Sequence, residues 1–266
     1  MNHFFRCLFI LSSLLAFWIT ACDKEKIDED SHVVLGRQLF NDTKFDNVFG
    51  HTASCATCHP GGDMDHKKWS LPPVSSDSVA TPTLFGVADT PPYLWLGDGG
   101  GDIKELTRVV IDSILHGSAT EEELDALAAY QLSLIVPANP WRNSDGSLTV
   151  SQQKGKLIFE GQGKCSVCHS GEVLTGKFKI QIKKLNPKVD IPSLRWIFAT
   201  APYFRDHSAV NLWNVVDYYS DSVTTDQMKL WRWNDIDSVR ITPANIYDIN
   251  LTIQEKSDLI EYLKTL

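Results

Sequence analysis

The sequence contains no long run of positive charge and no apolar stretch that would cross a bilayer as one helix. Its longest basic stretches are the pairs Lys67-Lys68 and Lys183-Lys184, and 33 acidic residues outnumber 25 basic ones. A nucleic-acid-binding surface clusters Lys and Arg on one face, so we expect no nucleic-acid partner. The 266 residues include only 16 glycines and 12 prolines, which excludes a collagen-like or low-complexity chain and favours a folded protein.

The N-terminal residues have the layout of an export signal. A short, positively charged start precedes an apolar run over residues 7–19, which is shorter than the roughly 20 residues of a spanning helix. The stretch Ile19-Thr20-Ala21-Cys22 resembles the bacterial lipobox, so we predict a lipoprotein-type signal peptide over residues 1–21. Cys22 would then carry a lipid anchor to the membrane, with residues 22–31 as a tether in the periplasm or cell envelope. The alternative is an ordinary signal peptide with a free cysteine near the cleavage site.

Four cysteines form two copies of one short motif. Cys55-Ala-Thr-Cys58-His59 and Cys165-Ser-Val-Cys168-His169 both read C-x-x-C-H, the attachment signature of c-type haem. Two thiols three residues apart on one helical turn can reach both vinyl groups of a porphyrin, and the imidazole of the next residue then lies under the iron. We therefore predict two covalently bound haem c groups. Two alternatives stay open, a redox-active cysteine pair and a zinc site of cysteine and histidine.

The two haem motifs belong to a longer internal duplication. The second copy follows the first at an offset of 110 residues, and the register holds for almost forty residues from each motif onward. The matched positions beyond the first motif are Pro82, Leu84, Thr90, Pro92 and Tyr93, which correspond to Pro192, Leu194, Thr200, Pro202 and Tyr203. The chain therefore consists of two related halves.

Each half is predicted to begin and to end with a helix. Before each haem motif a glycine and a phenylalanine lie one helical turn apart, at Gly36 and Phe40 and again at Gly155 and Phe159. Each half closes with a Thr-x-x-Glu capping box and apolar periodicity. The two capping boxes are Thr120–Glu123 and Thr252–Glu255.

The two halves differ in the segment before the last helix. The closing helices correspond at an offset of 132, so the second half carries 22 extra residues, among them Met228, Trp231 and Trp233. Strand signals are weak except around residues 178–182. Residues 137–150, rich in Pro, Gly, Asn and Ser, predict a linker between the halves.

This order of a glycine-containing helix, a haem motif, loops and a final helix with an aromatic residue resembles the cytochrome c fold. Two such units in tandem resemble the bacterial di-haem cytochrome c peroxidase family and its relative MauG, over residues 33–266. The resemblance implies an all-α chain of two tandem cytochrome c-like domains, residues 32–136 and 151–266, each with one haem c. In the first half the matching segments are Gly36–Phe40, Ser54–His59 and Thr81–Leu84. In the second half they are Ile191–Arg195, which is similar to the family's PSLRN, and Thr200–Asp206, which is similar to its TAPYFHDG.

The resemblance also implies roles for particular residues. His59 and His169 align with the proximal iron ligands, and Trp95, in Trp95-Leu-Gly-Asp98, aligns with a tryptophan that lies between the haems in the family's WDGR motif. Tyr219 lies where the peroxidases carry a methionine ligand of the second haem and MauG carries a tyrosine. Plain packing is the alternative for both Trp95 and Tyr219, and Met228 is the rival ligand. The family also binds a calcium ion, for which the carbonyls of two further residues are candidates, Thr200 and Pro202.

Other positions depart from the family pattern. His116 aligns with the glutamate that acts as acid and base on peroxide, and it would serve as a proton donor or ligate the iron and close the first haem. Leu106 replaces a glutamine and cannot form a hydrogen bond to peroxide. For His207, a ligand or relay role is possible, but we favour exposure. We favour a solvated loop for Met64 and His66.

The leading functional hypothesis is an exported di-haem oxidoreductase of the peroxidase type. Electrons would come from a small redox protein, a cytochrome c or a cupredoxin, to the C-terminal haem, pass Trp95 and reduce hydrogen peroxide at the N-terminal haem. One alternative is a non-catalytic electron-transfer cytochrome in which both irons have six ligands. The other is a MauG-like oxidase of a protein or organic partner, a hypothesis that Tyr219 supports.

Overall fold

A computed structural model describes residues 30–71, 75–176, 178–182, 185–221, 228–232 and 249–266. The predicted signal peptide, the predicted lipid-anchor residue Cys22 and almost all of the predicted tether lie outside these residues, as does Trp233. Within the described residues, no helix has the length and apolar character that crossing a membrane requires.

The described part of the chain is mostly helical. Its α-helices are α1 (Ser31–Asn41), α2 (Cys55–Cys58), α3 (Ile103–Ser113), α4 (Glu121–Leu132), α5 (Val150–Glu160), α6 (Leu212–Asp221) and α7 (Ile253–Leu263). Its strands are β1 (Lys68–Leu71), β2 (Ser75–Ala80), β3 (Phe178–Ile182), β4 (Leu185–Asp190) and β5 (Met228–Arg232). Short 3-10 turns connect several of these elements.

The strands make the all-α prediction wrong in part. β1 pairs with β2 in an antiparallel hairpin, and the second half repeats this hairpin as β3 and β4, with β5 added on the other side of β3. β3 coincides with the one segment in which the sequence shows a strand signal. β2 reads Ser-Ser-Asp-Ser-Val-Ala and has no apolar alternation, so only pairing with β1 makes it a strand. β5 comes from the extra residues of the second half.

Glycines allow the first and last helices of each half to cross closely. α1 packs on α4, and α5 packs on α7. A Cβ atom at Gly36 would lie 1.9 Å from the carbonyl oxygen of Ala126, and one at Gly155 would lie 2.0 Å from that of Asp258. The helix backbones therefore touch at these points, where only a residue without a side chain fits.

The phenylalanine one turn after each glycine packs edge-on against a tyrosine of the facing helix. The ring centroids of Phe40 and Tyr130 lie 5.1 Å apart, and those of Phe159 and Tyr262 lie 5.5 Å apart. Both predicted capping boxes are also formed, since in each the threonine N–H donates to the glutamate carboxylate and the glutamate N–H donates to the threonine hydroxyl oxygen. Each half thus has the same crossed pair of helices, with its own core of buried side chains around it.

The segment between the halves packs on the C-terminal end of the chain. The Asn139 side-chain amide donates to the carbonyl of Lys264 at 2.8 Å, and Arg142 Nε donates to that of Thr265 at 2.6 Å. The Trp141 ring lies under the Lys264 ammonium, 4.7 Å from nitrogen to centroid. The predicted linker is therefore held against the second half.

Two candidate haem sites

In both C-x-x-C-H motifs the backbone forms one helical turn. His59 donates its amide N–H to the carbonyl of Cys55 at 2.9 Å, and His169 donates to that of Cys165 at 2.8 Å. The first motif lies in α2, and the second begins with a 3-10 turn. Within each motif the two thiols and the imidazole are therefore held close together, as haem attachment requires.

The loop that leads to the first motif is organised by one buried carboxylate. Asp46 is completely buried, and its oxygens accept four backbone N–H groups at 2.7 to 3.0 Å. The donors are Val48, Phe49, Thr52 and Ala53. Burial by itself raises the pKa of Asp46, but these four donors outweigh it and lower the pKa to about 2.

The four thiols lie in apolar surroundings. Burial raises the pKa of Cys55 and Cys168 to about 11 and that of Cys58 and Cys165 to about 12. A redox-active cysteine pair needs a thiol whose pKa is lowered toward neutrality. The raised pKa values of these thiols therefore argue against a redox-active pair. A zinc site would require at least three converging ligands, and the described residues contain no such group.

The two histidines of the motifs are held as neutral imidazoles. Burial lowers the pKa of His59 and of His169 to about 4. His169 Nδ1 lies 3.2 Å from the carbonyl oxygen of Leu174, so the proton of the neutral ring belongs on Nδ1 and the lone pair on Nε2. A neutral imidazole with a free Nε2 is what an iron ligand must be.

The second motif lies on an apolar pocket that is partly open to solvent. Cys165, His169 and Tyr219 lie on its wall, together with apolar side chains from four elements of the second half. The apolar lining residues are Phe159, Leu194, Ile197, Val215, Val216, Ile249, Leu251, Leu259 and Leu263. An apolar cavity with a cysteine and a neutral histidine on its wall suits a porphyrin, so the residues present fit haem c.

Tyr219 projects from α6 into this cavity, as its predicted role requires. Its ring packs edge-on against those of Tyr218 and Phe204, with centroids 5.4 Å and 6.2 Å away. Burial, with a smaller contribution from the nearby Cys168, raises its pKa well above the usual range. The phenol is therefore neutral in this cavity, and only a metal ion would make its deprotonation favourable there.

Trp95 joins the two halves. Its indole Nε1 donates to the carbonyl of Ala80 at 2.7 Å, and its own carbonyl accepts the amide N–H of Asp190 at 2.9 Å. Ala80 ends β2 in the first half, and Asp190 ends the corresponding strand, β4, in the second. The partly buried ring thus lies at the junction of the halves, and its place between two haems stays a prediction.

His116 is exposed at the end of α3. It has a positive φ of 53°, and its carbonyl accepts the side-chain amide of Asn47 at 2.8 Å. No contact between His116 and His59 is found among the described residues. Leu106, in contrast, packs on a buried cluster with Val87 and Tyr93. The proton-donor role of His116 rests on the alignment with the family alone.

Two expectations of exposure are wrong in part. Met64 is buried, with 5% of its surface accessible. His66 is exposed as expected, but its Nδ1 lies 2.6 Å from the carbonyl oxygen of Ala201 in the other half. His207 is half-buried, and its Nε2 atom is fully enclosed.

Sequence reasoning did not identify a second junction between the halves. Arg195 Nη1 pairs with the carboxylate of Asp89 at 2.9 Å, and Nη2 donates to the carbonyl of Gly86 at 3.1 Å. The next residue, Trp196, packs edge-on against Phe85. The offset of 110 pairs Phe85 with Arg195 and Gly86 with Trp196, so equivalent segments of the two halves face each other here. The repeat was therefore the signal that could have located this contact.

The fold and the candidate sites resemble those of the di-haem cytochrome c peroxidase and MauG family, and comparisons with known proteins confirm this resemblance. No model of a protein family matches the chain. Cytochrome c peroxidase Ccp of Escherichia coli is 26% identical over 68% of this chain and 51% of its own length. Hydrazine synthase subunit gamma of Kuenenia stuttgartiensis is 27% identical over 54% of this chain and 48% of its own. The chain thus spans about half the length of these two relatives. MauG of Methylophilus methylotrophus is 22% identical, with 87% and 81% covered.

Solved structures show the same fold. A chain of hydrazine synthase from Kuenenia stuttgartiensis superposes with a TM-score of 0.66 at 21% identity, covering 97% of this chain and 99% of that one. A MauG-like protein associated with microbial copper homeostasis gives 0.67 at 20% identity, with 89% and 88% covered. The di-haem peroxidase BthA of Burkholderia thailandensis gives 0.64 at 14% identity, with 90% and 86% covered.

Proposed function

We propose that this chain is an exported di-haem c-type cytochrome that acts as a peroxidase-type oxidoreductase. The observation that carries the proposal is the second site, where Cys165, His169 and Tyr219 lie on one apolar cavity. Cys55 and Cys58 would hold the first haem and Cys165 and Cys168 the second. Haem supplies an iron that exchanges electrons and, where its sixth position is open, reacts with peroxide.

The protein residues then have distinct tasks. His59 and His169 would hold the iron through Nε2, with the carbonyl of Leu174 orienting His169. Trp95, whose carbonyl accepts the N–H of Asp190 in the second half, would carry an electron from the second half to the first. In the complete reaction two electrons and two protons convert one hydrogen peroxide into two water molecules. His116, exposed to solvent, is the proposed proton donor.

The partners follow from this proposal. A small redox protein, a cytochrome c or a cupredoxin, would deliver one electron at a time to the second half. Cys22 would hold the protein at a membrane of the cell envelope by its lipid, with the folded halves in the periplasm. A calcium ion on the carbonyls of Thr200 and Pro202 stays a prediction.

One observation favours each alternative. In the first half Leu106 is packed among apolar side chains and His116 is exposed, which suits an electron-transfer cytochrome without a peroxide pocket. The position of Tyr219 in the second cavity suits a MauG-like oxidase, because tyrosinate stabilises ferric iron.

The optical and EPR spectra of the ferric holoprotein, before and after hydrogen peroxide, separate these functions. We expect a high-spin ferric signal from one haem and a rapid spectral change with peroxide. Two low-spin haems that do not respond to peroxide would refute the peroxidase and leave the electron-transfer cytochrome. Haem content by mass spectrometry, with Cys165→Ser as the control that lowers it, checks that both sites are loaded.

A further inference from the structure

Residues 249–251, just before the last helix, form part of the wall of the cavity at the second motif. The side chains of Ile249 and Leu251 are buried and lie on this wall, whereas Asn250 between them is exposed. The φ of Asn250 is 34°, and asparagine accepts a positive φ more readily than most residues. This three-residue segment, which we call the strap, therefore turns at Asn250 and places two apolar side chains on the cavity.

Ser220 holds one end of the strap. Its Oγ accepts the amide N–H of Leu251 at 2.9 Å. Ser220 follows Tyr219 in α6, lies on the wall of the same cavity and exposes 4% of its surface. Without this hydroxyl the buried N–H of Leu251 would have no acceptor among the described residues, and a buried N–H without an acceptor is costly.

Gln162 holds the other end of the strap. Its side-chain amide donates to the carbonyl of Ile249 at 3.2 Å and to that of Asn250 at 3.4 Å. Gln162 lies three residues before Cys165, in the loop that leads to the second motif. The strap is therefore bonded both to the helix of Tyr219 and to the loop before the haem-attachment residues.

The corresponding segment of the first half lacks bulky apolar side chains. The closing helices correspond at an offset of 132, so Ile249 and Leu251 correspond to Gly117 and Ala119. A larger residue does not fit at Gly117, since a Cβ atom there would lie 2.1 Å from the carbonyl oxygen of Phe45. At these two positions the second half thus carries large apolar side chains, and the first half carries none larger than a methyl group.

Steric access decides which small molecules react at a haem, because a ligand must reach the iron to bind it. We propose that the strap closes the second cavity against hydrogen peroxide and other small ligands, so that peroxide is directed to the first haem. The inference rests on the proposed function, since it requires a haem at the second motif. Ile249 and Leu251 restrict access by their bulk, and Ser220 and Gln162 are positioning residues that act through the strap.

The test is a titration of the ferric holoprotein with cyanide, followed by optical and EPR spectra. Signals of the second haem are those missing from the double variant Cys165→Ala with Cys168→Ala. In the wild type we expect the first haem to bind cyanide at a lower concentration than the second. Ser220→Ala should lower the half-saturating concentration at the second haem about tenfold, because losing one net hydrogen bond raises the open fraction of the strap about tenfold. The first haem should be unchanged.

Amide hydrogen exchange in the same holoprotein measures the strap without any haem ligand. Exchange at the Leu251 amide should be about tenfold faster in Ser220→Ala than in the wild type, for the same reason. Ile260→Ala is the matched control, since Ile260 packs on the core of the second half but is absent from the cavity wall. It should change neither the exchange at Leu251 nor cyanide binding at the second haem.

Three results would overturn the proposal. A wild-type second haem that binds cyanide as readily as the first would show that the cavity is open. Unchanged cyanide binding in Ser220→Ala, despite faster exchange at Leu251, would show that the strap does not control access. An equal effect of Ile260→Ala would show a general loosening of the second half.

A second variant keeps the test decisive if Ser220→Ala fails to fold. Ile249→Ala removes bulk from the strap and keeps both of its holding residues, so it should also increase cyanide binding at the second haem; no increase would refute the strap. A folded protein that loads no haem at Cys165 and Cys168 would refute the proposed function as well. Full haem loading with a second haem open to cyanide in the wild type refutes the strap alone.

Discussion

Replacing Gly155 by alanine tests the helix crossing on which the second haem site depends. The new Cβ would lie 2.0 Å from the carbonyl oxygen of Asp258, a backbone atom that cannot rotate away. The helices α5 and α7 must separate to make room, and Phe159 and Tyr262, which lie on these helices, would then lose their contact.

The magnitude follows from three contributions. Forcing a methyl group into a packed interface costs about 1–3 kcal/mol, and a broken aromatic pair costs about 0.5–1.5 kcal/mol. Alanine gains back about 1 kcal/mol in helix propensity over glycine. We therefore expect the free energy of unfolding to fall by about 2 kcal/mol. For a unit of this size the Tm falls by about 8 °C or more.

The assay is urea and thermal unfolding of the holoprotein followed by far-UV circular dichroism. Gly101→Ala is the control, since no atom lies within 4 Å of a Cβ at that position and its φ is not positive. Stability of Gly155→Ala equal to that of the wild type and of Gly101→Ala would refute the close crossing of α5 and α7.

Three further predictions concern other parts of the molecule. Tyr219→Phe should perturb the ferric optical spectrum of one haem, and an unchanged spectrum would exclude Tyr219 from the coordination sphere. Asp46→Asn should destabilise the protein near neutral pH. The pKa of Asp46 is lowered to about 2, so the ionised carboxylate stabilises the fold above its unfolded pKa near 4. That contribution is lost as the pH falls toward 2, so the difference in unfolding free energy between variant and wild type should shrink there; a difference independent of pH would contradict this account. Trp95→Phe removes the N–H bonded to Ala80 and should lower the free energy of unfolding by about 1 kcal/mol, measured in urea, and no change would mean that this bond does not stabilise the fold.

Features that depend on short distances along the chain were predictable. The C-x-x-C-H motifs form a helical turn because five consecutive residues suffice to close it, and both capping boxes form between residues three apart. The paired helices of each half followed from the repeat, because a glycine and a phenylalanine one turn apart recur before each motif.

Features that depend on contacts across the fold were not predictable in the same way. β2 has no strand signal of its own and becomes a strand only on pairing with β1. Met64 looked like part of a solvated loop, but its side chain is buried in the folded chain. The alignment placed His116 opposite a catalytic glutamate, whereas the end of α3 leaves its side chain exposed.

The sequence by itself determined that the chain has two related halves, each with a haem motif between two helices. These features depend on residues only a few positions apart, and the same residues recur at fixed offsets in the second half. Only the tertiary structure decided how the halves meet. Trp95 with Asp190, His66 with Ala201, and Arg195 with Asp89 are each separated by about a hundred residues or more, and no local spacing specifies such pairs. They form because two packed cores bring their equivalent loops face to face.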